Sequence, residues 1–131
     1  MALELVLTGT PRTKKNSQRI ITVGGRPRII PSKEYKVYES ECLRQLMGLP
    51  KQTGPANVRC VYYMPTHRRV DLVNLLEATC DILVTAGILE DDNSNVITGH
   101  DGSRVRYDKA NPRVEIMIDG GLDDDEIPFY P

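Results

Sequence analysis

Residues 71–92 read Asp-Leu-Val-Asn-Leu-Leu-Glu-Ala-Thr-Cys-Asp-Ile-Leu-Val-Thr-Ala-Gly-Ile-Leu-Glu-Asp-Asp. At 100° per residue, Leu72, Leu75, Leu76, Thr79, Ile82, Leu83 and Ala86 fall within one broad sector, while Asn74, Glu77 and Asp81 project together on the far side. The spacing predicts an amphipathic helix from Asp71 to Ala86, stopped by Gly87. Immediately upstream, Asn57 to Met64 (Asn-Val-Arg-Cys-Val-Tyr-Tyr-Met) is the best central-strand candidate, and Pro65 ends it. Further out, Leu3, Leu5 and Leu7 alternate with Ala2, Glu4 and Val6 in a short strand ending at Thr8-Gly9. Gln18–Val23 and Arg26–Ile30 flank Gly24-Gly25, a hairpin whose primed turn needs positive φ at both central residues. Pro27 assigns the second arm to a sheet edge. Ser32 can cap a helix from Lys33 to Met47, with Tyr35, Tyr38, Cys42 and Leu46 as its apolar stripe. Beyond the acidic pair, Asn95–Thr98 reads as a strand, 99–102 as a turn and Arg113–Ile118 as the last strand. Helices set between strands in this order predict an α+β fold: a single domain with a mixed β-sheet and two principal helices packed on it.

At 131 residues and 14.7 kDa the chain suits one domain, and 40% apolar with 27% charged residues excludes a disordered or fibrous class. No apolar run approaches the roughly 20 residues of a membrane helix, and the N-terminus lacks a signal-peptide pattern. Cys42, Cys60 and Cys80 are odd in number and lack metal-ligand spacing. A disulfide framework or zinc knuckle is therefore not expected, and a reducing cytoplasm is. The net charge of −1 conceals an asymmetry: residues 119–131 hold five acids and no base, and the remainder carries 17 basic against 13 acidic residues. Within residues 1–36 eight basic residues face two acidic ones, which suits a phosphate-binding surface as well as a solvated face.

The chemistry concentrates between Asp71 and Asp92. Carboxylates gathered at one place repel, so such a cluster needs a cation or solvent, and hard oxygen donors suit Mg²⁺ or Mn²⁺. Each residue also has a structural reading. Asp71 can be an N-cap, Glu77 and Asp81 an i, i+4 pair facing solvent, and Asp91-Asp92-Asn93-Ser94 a turn. Val96 rules out a calcium-binding EF-hand loop, and the glycines around His100-Asp101 favour a turn there. His67 reads as a surface residue. On residues alone, metal-dependent catalysis and a solvated acidic face both stay open. Arg68-Arg69 beside the acids, and the basic block from Arg12 to Lys36, add the frame that phosphodiester cleavage needs.

Arg68-Arg69-Val70-Asp71-Leu72-Val73-Asn74-Leu75, Asp81-Ile82-Leu83 and Ala86-Gly87-Ile88-Leu89-Glu90-Asp91-Asp92 resemble the signature of RusA-like endodeoxyribonucleases, the Holliday-junction resolvases of phages and prophages. That family pattern is Asp-x-Asp-Asn-Leu-x-Lys, a helix, a glycine-containing turn and Asp-Asp. The loop Pro11-Arg12-Thr13-Lys14-Lys15-Asn16-Ser17 and the Arg26-Pro27-Arg28 hairpin are similar to the family's N-terminal half. The resemblance implies an endonuclease domain over residues 1–118 and leaves 119–131 as a flexible acidic tail. It implies a homodimeric, Mg²⁺-dependent enzyme (Mn²⁺ being an alternative) that nicks four-way or other branched DNA symmetrically, in a bacterial host's cytoplasm, with no membrane and no organic cofactor. Asp71 and Asp92 would be catalytic metal ligands, Asp91 a neighbouring ligand, and Asn74 and Asp81 supporting residues. Arg12, Lys14, Lys15, Arg26, Arg28, Arg68 and Arg69 would contact DNA.

Two positions depart from the pattern. Val73 stands where the family has its second aspartate, and Glu77 where it has lysine. On a helix starting at Asp71, Val73 lies about 200° and Glu77 about 240° around the axis, with Glu77 about 6 Å further along. Glu77 can therefore replace the missing carboxylate as a metal ligand and catalytic residue. The alternative is a branched-DNA-binding protein without cleavage. A third reading, a protein-interaction module working through its acidic tail, is distinguished by the absence of DNA affinity.

Overall fold

Strand β4, Ala56–Met64, is the axis on which the other strands hang. The computed structural model describes residues 2–14 and 18–120, with the backbone alone at Gln18, Arg19 and Pro31. Of the residues expected to matter, Lys15 and the tail beyond Gly120 lie outside this range. In chain order the elements are β1 (Leu3–Thr8), β2 (Gln18–Val23), β3 (Arg26–Pro31), α1 (Lys33–Leu46), β4, α2 (Leu72–Thr85), β5 (Ile97–Gly99), β6 (Arg104–Tyr107) and β7 (Arg113–Gly120).

The five-stranded sheet runs β1-β7-β4-β5, with β6 also pairing β4. β7 is antiparallel to both β1 and β4, whereas β5 and β6 run parallel to β4. The fold is therefore α+β with a mixed sheet, as the sequence implied. The register sets Leu5, Ile116 and Cys60 side by side, and likewise Leu7, Val114 and Tyr62. Because side chains alternate along a strand, these residues line one face. That face and the buried stripes of the helices, Tyr35, Tyr38, Cys42 and Leu46 of α1 with Leu75, Ala78, Ile82 and Leu83 of α2, form one hydrophobic cluster.

A buried hydroxyl pair fixes α2 against the sheet. Thr79 Oγ1 donates to the Leu75 carbonyl at 2.9 Å, so Tyr62 Oη must donate to Thr79 Oγ1 across their 2.7 Å contact. Tyr35 contrasts with it: the residue is fully buried, and among the described residues its hydroxyl has no hydrogen-bond partner.

The hairpin arms β2 and β3 pair around Gly24 (φ 60°) and Gly25 (φ 77°), the conformation the Gly-Gly pair predicts. They form a two-stranded sheet of their own, which gives Pro27 its edge position. Most helix and strand ends fall within one residue of the sequence reading, and the larger departures lie after α2. The strand expected at Asn95–Thr98 runs instead from Ile97 to Gly99, because Val96 and Ile97 both donate backbone N–H groups to the Asn93 carbonyl and close a turn. β6 has no forerunner in the reading; all four of its residues are exposed, so it shows no buried alternation. β7 continues through Asp119, which pairs with Asn57 inside the sheet.

The two tyrosines differ in a testable way. Removing the Tyr62 hydroxyl breaks a satisfied buried pair, so Tyr62→Phe is expected to destabilise by about 1 kcal/mol. Tyr35→Phe removes an unpaired group and should be neutral or stabilising. Urea midpoints at unchanged m-value read both effects.

Candidate functional site

Helix α2 carries acids at both ends, and the chain treats the two ends differently. At the start, Asp71 is the N-cap: its Oδ1 accepts from the backbone N–H of Val73 at 2.9 Å and of Asn74 at 3.3 Å. The positive end of the helix dipole favours a carboxylate here. Val73, by contrast, leaves its apolar side chain 68% exposed.

At the other end, Gly87 takes φ 79° and turns the chain back. The apolar pair Ile88 and Leu89 then plunges into the core, each 1% exposed, and both donate to the Leu83 carbonyl. That plug delivers Asp91 and Asp92 beside the last turns of α2. Asp91 closes a local turn, accepting from the Asp92 backbone N–H at 2.8 Å and from Asn93 Nδ2 at 2.9 Å. These hydrogen bonds, the Asp92 amide foremost, hold its carboxyl below the usual aspartate range and keep it ionised.

Asp81, Asp91 and Asp92 line one pocket of about 320 Å³ together with Lys14, Val84 and Thr85. Lys14 reaches in from the loop after β1. Its Nζ lies 2.9 Å from Asp81 Oδ2 and 5.9 Å from the centre of the Tyr35 ring. Three carboxylates near the negative end of a helix dipole favour a cation, and this ammonium supplies one. Asp81 adds to the charge that, behind burial and Glu39, raises the Tyr35 phenol well above its ordinary value.

The structure thus brings together Asp81, Asp91 and Asp92, but Asp71 and Glu77 do not line their pocket. Asp71 lies about 15 Å from Asp81 along the axis, and Glu77 about 6 Å, on nearly the same side as Asp81. Among the described residues, no three of His, Cys, Asp and Glu stand close enough to form a ready-made metal site. The set Asp71, Glu77 and Asp92 is therefore not assembled within the single chain. The Lys14–Asp81 pair spans 67 residues of sequence, and no local signal points to it.

The other basic residues are spread. Arg12 and Lys33 line a separate groove of about 590 Å³ between the end of β1 and α1, shared with Glu34 and Glu41. Arg26 and Arg28 are exposed on β3, and Arg68 and Arg69 on the loop entering α2. His100 donates through Nδ1 to the Val58 carbonyl at 2.8 Å, and Asn57 bonds both backbone groups of Asp101. That pair is a turn stapled to β4, as the flanking glycines implied.

A family model described as Endodeoxyribonuclease RusA matches residues 8–119. No curated protein matches the chain. The cap at Asp71 can be separated from any chemical role of its carboxylate. Asp71→Ala is expected to destabilise by about 1 kcal/mol, whereas Asp71→Asn, an equally good cap, should stay within a few tenths. Thermal or urea unfolding checks both.

Proposed function

The chain belongs to the RusA endodeoxyribonuclease family, and from that premise we propose that it resolves four-way DNA junctions by paired, Mg²⁺-dependent nicks. The observation that supports cleavage is the convergence of Asp81, Asp91 and Asp92 on the pocket beside Lys14. Carboxylate oxygens are the donors Mg²⁺ or Mn²⁺ prefers, and the ammonium on Asp81 marks the pocket as one that favours positive charge. These three do not form a ready-made site as they stand; Asp91 and Asp92 would hold the ion, and Asp81 would have to be drawn in by it. Glu77, one turn earlier on the helix, and Asp71 at its entrance do not line the pocket and would join only if α2 shifted toward it. The chemistry a divalent ion would supply if held there is polarisation of a phosphodiester oxygen and a lowered pKa for bound water.

The chain's own residues do the rest. Lys14 can leave Asp81 for a phosphate oxygen, exchanging one anionic partner for another. Asp91, kept ionised by its turn, offers a fixed carboxylate without a further conformational step. Arg12, Lys15, Arg26, Arg28, Arg68 and Arg69 would hold backbone phosphates, so binding should weaken steeply with salt. A two-fold homodimer would present one site to each strand of a two-fold junction.

A second reading, a junction-binding protein without cleavage, is favoured by exposed Val73 and by the commitment of Asp71 to its cap. A labelled synthetic four-way junction, with a linear duplex control, separates the two in Mg²⁺ and in EDTA. Symmetric nicks are expected in Mg²⁺ only, slowed about 100-fold or more in Asp92→Asn, the scale of losing one transition-state contact. Asp71→Asn and Glu77→Gln report whether those carboxylates take part. Tight junction binding without nicks in either Mg²⁺ or Mn²⁺ would establish the second reading.

A further inference from the structure

At the end of β4 the chain passes through Pro65 and Thr66 to His67 and the two arginines that precede the Asp71 cap. β6 runs parallel to β4 and sets Tyr107 opposite Met64, and the Asp108 N–H closes the pairing on the Met64 carbonyl at 2.9 Å. Tyr107 therefore stands directly under the loop. The His67 and Tyr107 rings stack, with centroids 3.9 Å apart and planes inclined by 27°. Neither is buried; Tyr107 is 44% exposed. The pair borders a pocket of about 460 Å³ that also includes Arg68 and Arg106.

The neighbouring Arg113 shows what a purely structural cation does in this region. It lies 3.9 Å over the Tyr63 ring and is neutralised by Asp108 at 2.9 Å and Glu115 at 3.0 Å. Arg68 and Arg106 have no carboxylate partner among the described residues. An exposed aromatic stack flanked by two uncompensated guanidinium groups has complementary chemistry in a nucleotide. The base supplies a π face, and the phosphates supply the charge.

We propose that the His67–Tyr107 pair is a stacking platform for one nucleobase whose face is left open at a branch point in DNA, with Arg68 and Arg106 holding the adjoining phosphates. The proposal rests on the reading of the chain as a protein that acts on branched DNA. A base inside a continuous duplex has both faces covered by its neighbours, so it cannot stack on protein without being splayed out. Bases at a branch point already have an open face. The platform therefore selects branch points over linear duplex without reading sequence, since every base has a π face. Its His67 lies only four residues before Asp71, so the platform adjoins the entrance of α2.

The test uses the full chain in EDTA, so that binding is read without cleavage. The probes are a four-way junction with 2-aminopurine at its branch point and a linear duplex of the same sequence. Wild type and Tyr107→Phe are expected to quench the 2-aminopurine and bind the junction alike. Tyr107→Leu and His67→Ala should lose the quench and bind the junction about 5- to 100-fold more weakly, the range for one lost base stack, with duplex affinity unchanged. Arg68→Ala and Arg106→Ala should weaken both probes and each reduce the salt slope by about one. Thermal melts confirm folding, and Tyr107→Phe serves as the conservative control. Unquenched 2-aminopurine with wild-type junction affinity in Tyr107→Leu overturns the platform and leaves the DNA reading standing. Equal losses in Tyr107→Phe and Tyr107→Leu overturn stacking in favour of a hydroxyl contact. No affinity of the wild type for either probe overturns the platform and the DNA reading together.

Discussion

Burial of Ile88 and Leu89 sets the position of Asp91 and Asp92. Two large apolar side chains just past a helix end must leave water, and the nearest refuge is the core from which the helix has emerged. Gly87 supplies the left-handed backbone for the reversal, and the Leu83 carbonyl receives both returning N–H groups. With the plug seated, Asp91 and Asp92 lie beside Asp81, in a place the dipole of α2 makes unfavourable for anions. An acidic pocket at a helix C-terminus persists because Lys14 is there, and would persist equally with a metal ion or a basic substrate contact. The hydrophobic effect thus does the positioning, and electrostatics then defines what the position can bind.

Much of this was legible in the sequence because the signals were periodic. The stripe Tyr35, Tyr38, Cys42 and Leu46 marked the buried face of α1, and the apolar sector from Leu72 to Ala86 marked that of α2. Gly24-Gly25 announced its turn for steric reasons, as did Gly87. The short apolar turn after Gly87 left open whether the acidic pair comes back beside the helix or beside the next strand, and the fold puts it beside the helix. What escaped was non-periodic or long-range. β6 is exposed at every residue, so its pairing to β4 leaves no pattern of burial. The Lys14–Asp81 pair depends on how the loop after β1 crosses the face of α2. The family pattern suggested a shared site for Asp71, Glu77 and Asp92, although the helix read from the sequence already put the cap and the turn at the two ends of a rod about 21 Å long, too far apart for one pocket.

That separation divides labour along α2. The C-terminal end offers carboxylates and a movable ammonium. Beside the N-terminal end stand exposed aromatic rings and arginines, next to an aspartate that holds the helix entrance in shape. One helix therefore joins an exposed, cationic aromatic surface, the one proposed to grip DNA, to a pocket that gathers carboxylates around an ammonium. The Tyr62–Thr79 hydroxyl pair, midway along it, keeps the helix from sliding on the sheet and so keeps the two regions at a constant distance.

The sheet's connectivity also bears on how the protein comes into being. Among the described residues β1 pairs with β7 alone, so Leu3 finds its partner at Ile118, and β4 likewise needs β7 along most of its length. Closing a loop of that span is entropically only a little worse than closing a shorter one, but its contacts reward the chain late. On the ribosome, the first strand must wait for the last one to emerge before it can be covered. Until then the apolar faces of Leu5, Leu7 and β4 are open to solvent, so the sheet's core is sealed by the last of its strands to be made.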